Sequence, residues 1–132
     1  MATFVIMQFT FNKQEKLKSK KLIEQLFADG KSVSSYPLKL LYLKTGHTSN
    51  YMFQAGVSVS KRKFKSAVDR NRIKRLLREA FRKQKHIIYE NCSDKYIFMF
   101  LYVDENEQNY VFIEEKMTTL LRKFLKKTEK QG

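Results

Sequence analysis

Cysteine is nearly absent. Cys92 stands alone, which excludes an intramolecular disulfide and any multi-cysteine zinc site, and fits a reducing cytoplasm. Proline occurs once, and neither repeats nor low-complexity tracts interrupt the chain, so residues 1–132 read as a single domain of ordinary size. No apolar run is long. The longest, Tyr96 to Val103, is far too short to span a bilayer as a helix. The opening "MATFVIMQFTFNK" has no basic segment ahead of its apolar residues and no small-residue cleavage signal, so no signal peptide is expected. Residues 1–15 are expected to form an extra edge strand or a flexible segment, and residues 128–132 a loose tail.

Carboxylates are also scarce: 13 Asp and Glu face 27 Lys and Arg, a formal charge of +14. Such an excess opposes compaction and points to a polyanionic partner, nucleic acid ahead of an anionic membrane surface. What is present suffices for a core. Hydrophobic residues make up 42% of the chain and aromatics 14%, which argues against wholesale disorder.

Periodicity supplies the elements. "SKKLIEQLFADG" reads as a short helix capped by Ser19, with Leu22, Ile23, Leu26 and Phe27 on one face and Gly30 ending it in the left-handed conformation. "PLKLLYLK" from Pro37 predicts a strand, and "TGHTSN" a hairpin loop. In "YMFQAGVSVS" Tyr51, Phe53, Ala55, Val57 and Val59 alternate with small or polar residues, giving a core face and a second face suited to floor a groove. Ser66 and Asp69 fit a helix start, after which Ile73, Leu76, Leu77, Ala80, Phe81 and Ile87 repeat at helical spacing. "KYIFMFLYV" from Lys95 is apolar on both faces, as an interior strand requires. Ile113, Met117, Leu120, Leu121 and Phe124 mark a last amphipathic helix. The order α-β-β-α-β-α predicts an α+β fold, a two-layer α-β sandwich with helices packed on a small sheet.

The helix after Ser66 is unusual. At 3.6 residues per turn its apolar residues fill an arc of about 140°, and Asn71, Lys74, Arg75, Arg78, Arg82 and Lys85 share an adjacent arc of about 100°. The segment Lys61 to Lys85 holds twelve basic and two acidic residues, so +10 of the chain's +14 is local. A solvated face normally mixes signs in i, i+4 pairs, whereas here Glu79 is the only carboxylate past the first turn. Arginine's planar fork suits phosphate oxygens, and Asn71 adds a directional donor and acceptor.

"GVSVSK…AVDRNRIKRLLREAF" strongly resembles the protein subunit of bacterial ribonuclease P, whose signature is this Arg-Asn-Arg motif opening a basic helix. The similarity runs from about Lys16 to Lys127 and takes in "LKSKKLIEQLFADGKS" and "YPLKLLYL". The resemblance implies an α-β sandwich with a left-handed β-α-β crossover. It also implies a ribonucleoprotein endoribonuclease in which a large RNA, with bound Mg²⁺, removes the 5′ leader of precursor tRNA. On this reading the protein carries no catalytic residue. It acts in the cytoplasm as a monomer in a one-to-one complex with the catalytic RNA, binding that RNA and the precursor tRNA. RNA contacts carry over to Lys61, Arg62, Arg70, Asn71, Arg72, Lys74, Arg75, Arg78 and Arg82, and a leader cleft between the first helix and the sheet takes Phe27 and Tyr42. Phe27 also admits a plain core role; as a stacking platform it would accept any unpaired base.

Two other classes remain in view. A protein-only nuclease needs an oriented base, yet His47 and His86 are distant in sequence and lack an adjacent acid. Asp104, Glu105 and Glu107 form an acidic loop that reads either as solvated turn residues or as a Mg²⁺ holder. A non-catalytic RNA-binding protein, such as a ribosomal component, would share the charge and the fold class.

Overall fold

The computed structural model describes residues 15–45, 53–92 and 94–131. Ser19 starts the first helix, α1 (Lys20–Asp29), by accepting the Leu22 amide. At its end Gly30 is extended, with φ −69° and ψ 155°, and not left-handed as the C-cap pattern predicts. A different constraint selects glycine there: a Cβ would lie 2.3 Å from the Leu26 carbonyl oxygen as the chain turns directly into a strand. That strand, β1 (Lys31–Ser35), was not legible in "KSVSS", where Val33 is the one large apolar residue. It exists through its partner. Each residue from Lys31 to Ser35 pairs antiparallel with β2 (Leu38–Lys44).

β2 pairs antiparallel with β4 (Tyr96–Tyr102), and β4 pairs parallel with β3 (Phe53–Val59), giving a four-stranded mixed sheet of order β1-β2-β4-β3. The helix α2 (Ala67–Gln84) belongs to the crossover that joins parallel β3 to β4. A six-residue helix, α3 (His86–Asn91), follows at once, and α4 (Tyr110–Gln131) ends the described chain. α4 runs on as helix through 128–131, where a loose tail is expected from sequence.

Strand alternation divides the sheet's side chains between two cores. Leu38, Leu40, Tyr42, Phe53, Phe98 and Phe100 meet Ile73, Leu77 and Phe81 of α2 and Ile113, Met117, Leu120, Leu121 and Phe124 of α4. Ile97 and Met99 point the other way, beneath Leu26 of α1 and Leu17, with Leu41, Leu43 and Leu101 alongside. Helices therefore cover both faces, with α1 the one helix on its side among the described residues, and this is why β4 is apolar throughout. One periodicity reading shifts: α2 stops at Gln84, the amides of Ile88 and Tyr89 both turn to the Lys85 carbonyl, and the break buries Ile88 and leaves Ile87 half-exposed. His47, Tyr51 and Met52 lie outside the described residues.

Candidate nucleic-acid interface

Ser66 caps α2 through the Asp69 amide, and Asp69 faces the positive end of the helix dipole. The helix then turns Ile73, Leu77, Ala80 and Phe81 into the core. Asn71, Arg72, Arg75, Arg78 and Lys83 are exposed, with Lys74 and Arg82 half-buried beside them.

The basic strip separates into two sets. One set holds the fold together. Arg70 donates to the carbonyls of Phe64 at 2.8 Å and Lys65 at 2.9 Å, and Lys63 Nζ to the Val103 carbonyl at 2.6 Å. With Phe64 buried against the Tyr102 ring, these bonds give the basic loop after β3 a definite path. Arg72 pairs with Asp69 at 2.9 Å and reaches Glu107 at 3.4 Å. Arg82 pairs with Glu79, and their hydrogen bond holds the Glu79 carboxyl below its usual range and raises Arg82. Lys85 leaves the strip altogether. It is fully buried in an ion pair with Glu15 at 2.6 Å, and that burial pulls its ammonium pKa down. Helical spacing alone put Lys85 beside Arg78; a carboxylate 70 residues earlier draws it inside.

The second set is unengaged. The side chains of Lys61, Arg62, Lys65, Lys74, Arg75 and Arg78 have no hydrogen bond or ion pair among the described residues, and neither does that of Asn71. Lys74 and Arg78 line a cleft of about 330 Å³. Lys16 and Lys18 line it too, from the segment ahead of α1, and Ile23, Gly56, Val57 and Met99 supply apolar or small surface. The cleft lies along the edge strand β3: of the small-residue face expected to floor a groove Gly56 alone lines it, beside Ala55 and Val57 of the core face. At Gly56 a Cβ would lie 3.2 Å from Met99 Cε, so the floor is already close-packed below. Sequence reasoning missed Lys16 and Lys18, although the alternation Lys16-Leu17-Lys18 is itself a strand-edge pattern. Lys16 bridges to Ala55 in parallel, and the Leu17 amide bonds the Ala55 carbonyl at 2.9 Å.

The two aromatics proposed for the leader cleft part company. Phe27 is 54% exposed, which overturns a core role for it, and it stands one helical turn beyond Ile23 of the cleft. Tyr42 lies on the sheet face opposite α1, 2% exposed, with the Phe124 ring 4.9 Å away. It cannot share a cleft with Phe27. A step of one residue along a strand reverses the side, and Leu41 and Leu43 are the β2 residues that face α1.

No three His, Cys, Asp or Glu side chains among the described residues are grouped to hold a metal ion. The Asp104 carboxyl accepts from the Asn106 amide at 3.1 Å and from Gln108 Nε2 at 3.0 Å, and these bonds, that of Gln108 foremost, lower its pKa. Glu107 is turned to Arg72. Among the described residues no helix is long and apolar enough to cross a membrane.

Residues 11–125 match the family model described as Ribonuclease P. The chain is 34% identical over 113 residues to the ribonuclease P protein component of Porphyromonas gingivalis, covering 83% of this chain and 82% of that one. With the component from Chlorobium phaeobacteroides it shares 39% over 88 residues, 64% of this chain and 60% of that one. In fold it is similar to the RNase P protein of Thermotoga maritima, with TM-score 0.67 and 23% identity over 83% of this chain and 96% of that one. The Staphylococcus aureus RNase P protein gives TM-score 0.63 and 20% identity over 82% of this chain and 93% of that one. A family match over residues 11–125, with relatives 34% identical over more than four-fifths of the chain, places the chain in the ribonuclease P protein family.

Proposed function

We propose that the chain is the protein subunit of ribonuclease P, acting in the bacterial cytoplasm as one copy on one catalytic RNA. Asn71, Arg75 and Arg78 on α2, with Lys61, Arg62 and Lys65 in the loop before it, grip RNA phosphates and riboses. The cleft bordered by Lys16, Lys18, Lys74 and Arg78 takes the 5′ leader of precursor tRNA, and Phe27 offers an exposed ring for an unpaired base. One observation carries this reading: six cations without partners among the described residues gather on one helix and its loop and reach the rim of an apolar-floored cleft. A single strand needs both features, charge along its backbone and apolar surface under its bases.

Mg²⁺ supplies the hydrolytic chemistry on the RNA side. The acidic-loop carboxylates best placed to bind it, Asp104 and Glu107, are already satisfied by Asn106, Gln108 and Arg72. What the protein adds is positive charge where two RNAs meet, lowering the repulsion that cations must otherwise screen. The test is leader removal from precursor tRNA by the cognate catalytic RNA, with and without the protein. The expected result is faster cleavage at low Mg²⁺ with the protein present and no cleavage by the protein alone. No acceleration would favour a general RNA binder, and cleavage surviving rigorous removal of RNA would favour a protein nuclease.

A further inference from the structure

The buried Glu15 and Lys85 and the half-buried Tyr89 form a polar cluster outside the RNA-binding strip. Glu15 and Lys85 are both fully buried, their charged atoms are 2.6 Å apart, and the Tyr89 hydroxyl donates to the second Glu15 oxygen. Two charges removed from water are costly unless paired, so an ion pair in this position holds its two segments together firmly once both are present. The segments are distant in sequence. Lys85 sits at the break between α2 and α3, and Glu15 immediately precedes the Lys16–Ala55 bridge and the Leu17 amide bond to Ala55.

The consequence lies in what comes next along the chain. Lys16 and Lys18 line the cleft, whereas Leu17 between them is buried in the core under α1. Among the described residues, one strand bridge and the Leu17 amide bond attach the segment to β3, and the Leu17 side chain is buried under α1. Glu15 supplies a further attachment, at the break between α2 and α3.

We propose that the Glu15–Lys85–Tyr89 cluster is a latch that sets the N-terminal segment beside β3, so that Lys16 and Lys18 complete the binding cleft. These are positioning residues: Glu15 and Lys85 are buried and Tyr89 is half-buried, so they act through Lys16 and Lys18. Lys85 thus serves the cleft from inside, although its sequence position suggests a phosphate contact. The inference rests on the leader-cleft reading given above and extends it to a specific determinant of leader affinity.

The experiment compares wild type, Glu15→Gln, the pair Lys16→Ala with Lys18→Ala, all three changes together, and the double variant Glu15→Met with Lys85→Met. Each full-length protein is bound to the cognate catalytic RNA, and the holoenzyme's affinity is then measured for precursor tRNA and for mature tRNA. Wild type is expected to prefer the precursor; equal affinity for both would overturn the leader-cleft reading itself. Glu15→Gln is expected to lose roughly tenfold in precursor affinity, the size of two surface charge contacts, with mature tRNA and catalytic-RNA affinity unchanged. The lysine pair should lose about as much, and the triple variant no more than either, since both act through one interaction. An apolar pair can replace a buried ion pair without leaving a lone charge, so the Met–Met variant should recover most of the preference. Full precursor preference in folded Glu15→Gln would overturn the latch, as would additive losses in the triple variant. If Glu15→Gln fails to fold, the Met–Met variant decides: recovery of the preference supports the latch, and a folded protein that binds mature tRNA normally but lacks the preference overturns it. A Met–Met variant that weakens binding to mature and precursor tRNA equally would reduce the cluster to a general stability element and overturn the proposal.

Discussion

A side chain's charge says little about its use until its partners are known. Arg72 and Arg75 are three residues apart on α2, both exposed, yet Arg72 is held by Asp69 and Glu107 and Arg75 by nothing among the described residues. Arg75→Ala is therefore expected to weaken binding to the catalytic RNA more than Arg72→Ala. Salt titrations should show the magnitude of the log–log slope falling by about 0.7 for Arg75→Ala, one phosphate contact on a single strand. Equal effects from both would show that the Arg72 ion pairs open on RNA binding. Tyr42 gives the opposite case. Its hydroxyl is buried with no hydrogen-bond partner among the described residues, a desolvation cost without return there. Tyr42→Phe should leave leader binding unchanged and alter stability by less than about 1 kcal/mol, or raise it, in denaturant titrations. Loss of leader binding in a stably folded Tyr42→Phe protein would contradict its placement in the core.

At the scale of elements, junctions carry most of the information that local propensity lacks. Gly30 joins α1 to β1 with no room for a methyl group, since the Leu26 carbonyl oxygen is 2.3 Å from where Cβ would be. Gly30→Ala should cost about 1–3 kcal/mol by chemical denaturation, through overpacking at the helix end; a neutral effect would mean that this junction shifts readily. The turn between β4 and α4 depends on Asp104, whose carboxylate is favoured by its bonds from Gln108 and Asn106. Its pKa is lowered in the folded state, so the stability it contributes is present above the ordinary aspartate range near pH 4. That contribution is lost as pH falls through the lowered value. Asp104→Asn should therefore melt below wild type at pH 7, and the gap should close on acidification below about pH 4. A gap independent of pH would assign the effect to packing alone. α1, β2, β3, α2, β4 and α4 were each legible from periodicity and caps. β1 was not, because an edge strand of serines is held by the Leu38–Tyr42 register and by Lys123 and Lys127, which donate to the Ser34 and Ser32 carbonyls.

For the whole molecule, two cores on opposite faces of one sheet hold in place the helix and loop that carry the unengaged cations. Phe98 touches the rings of Phe53, Phe81 and Phe124 from the middle of β4, so Phe98→Ala should cost about 3–5 kcal/mol, read from denaturant midpoints. Six unengaged cations set the electrostatic scale. If each meets one phosphate of single-stranded RNA, log affinity should fall against log salt with a slope near −4. A slope near −1 would mean that most of the cluster does not touch RNA.

The sequence by itself determined the elements with strong period, the clustering of charge after Ser66, and the family, because these depend on residues close together in the chain. Tertiary structure alone decided which cations remain available. Glu15 is 70 positions from Lys85 and Glu107 is 35 from Arg72, separations that no local spacing encodes. It likewise decided that Tyr42 faces the core and Leu41 faces α1, because the side of a strand depends on which helix covers it.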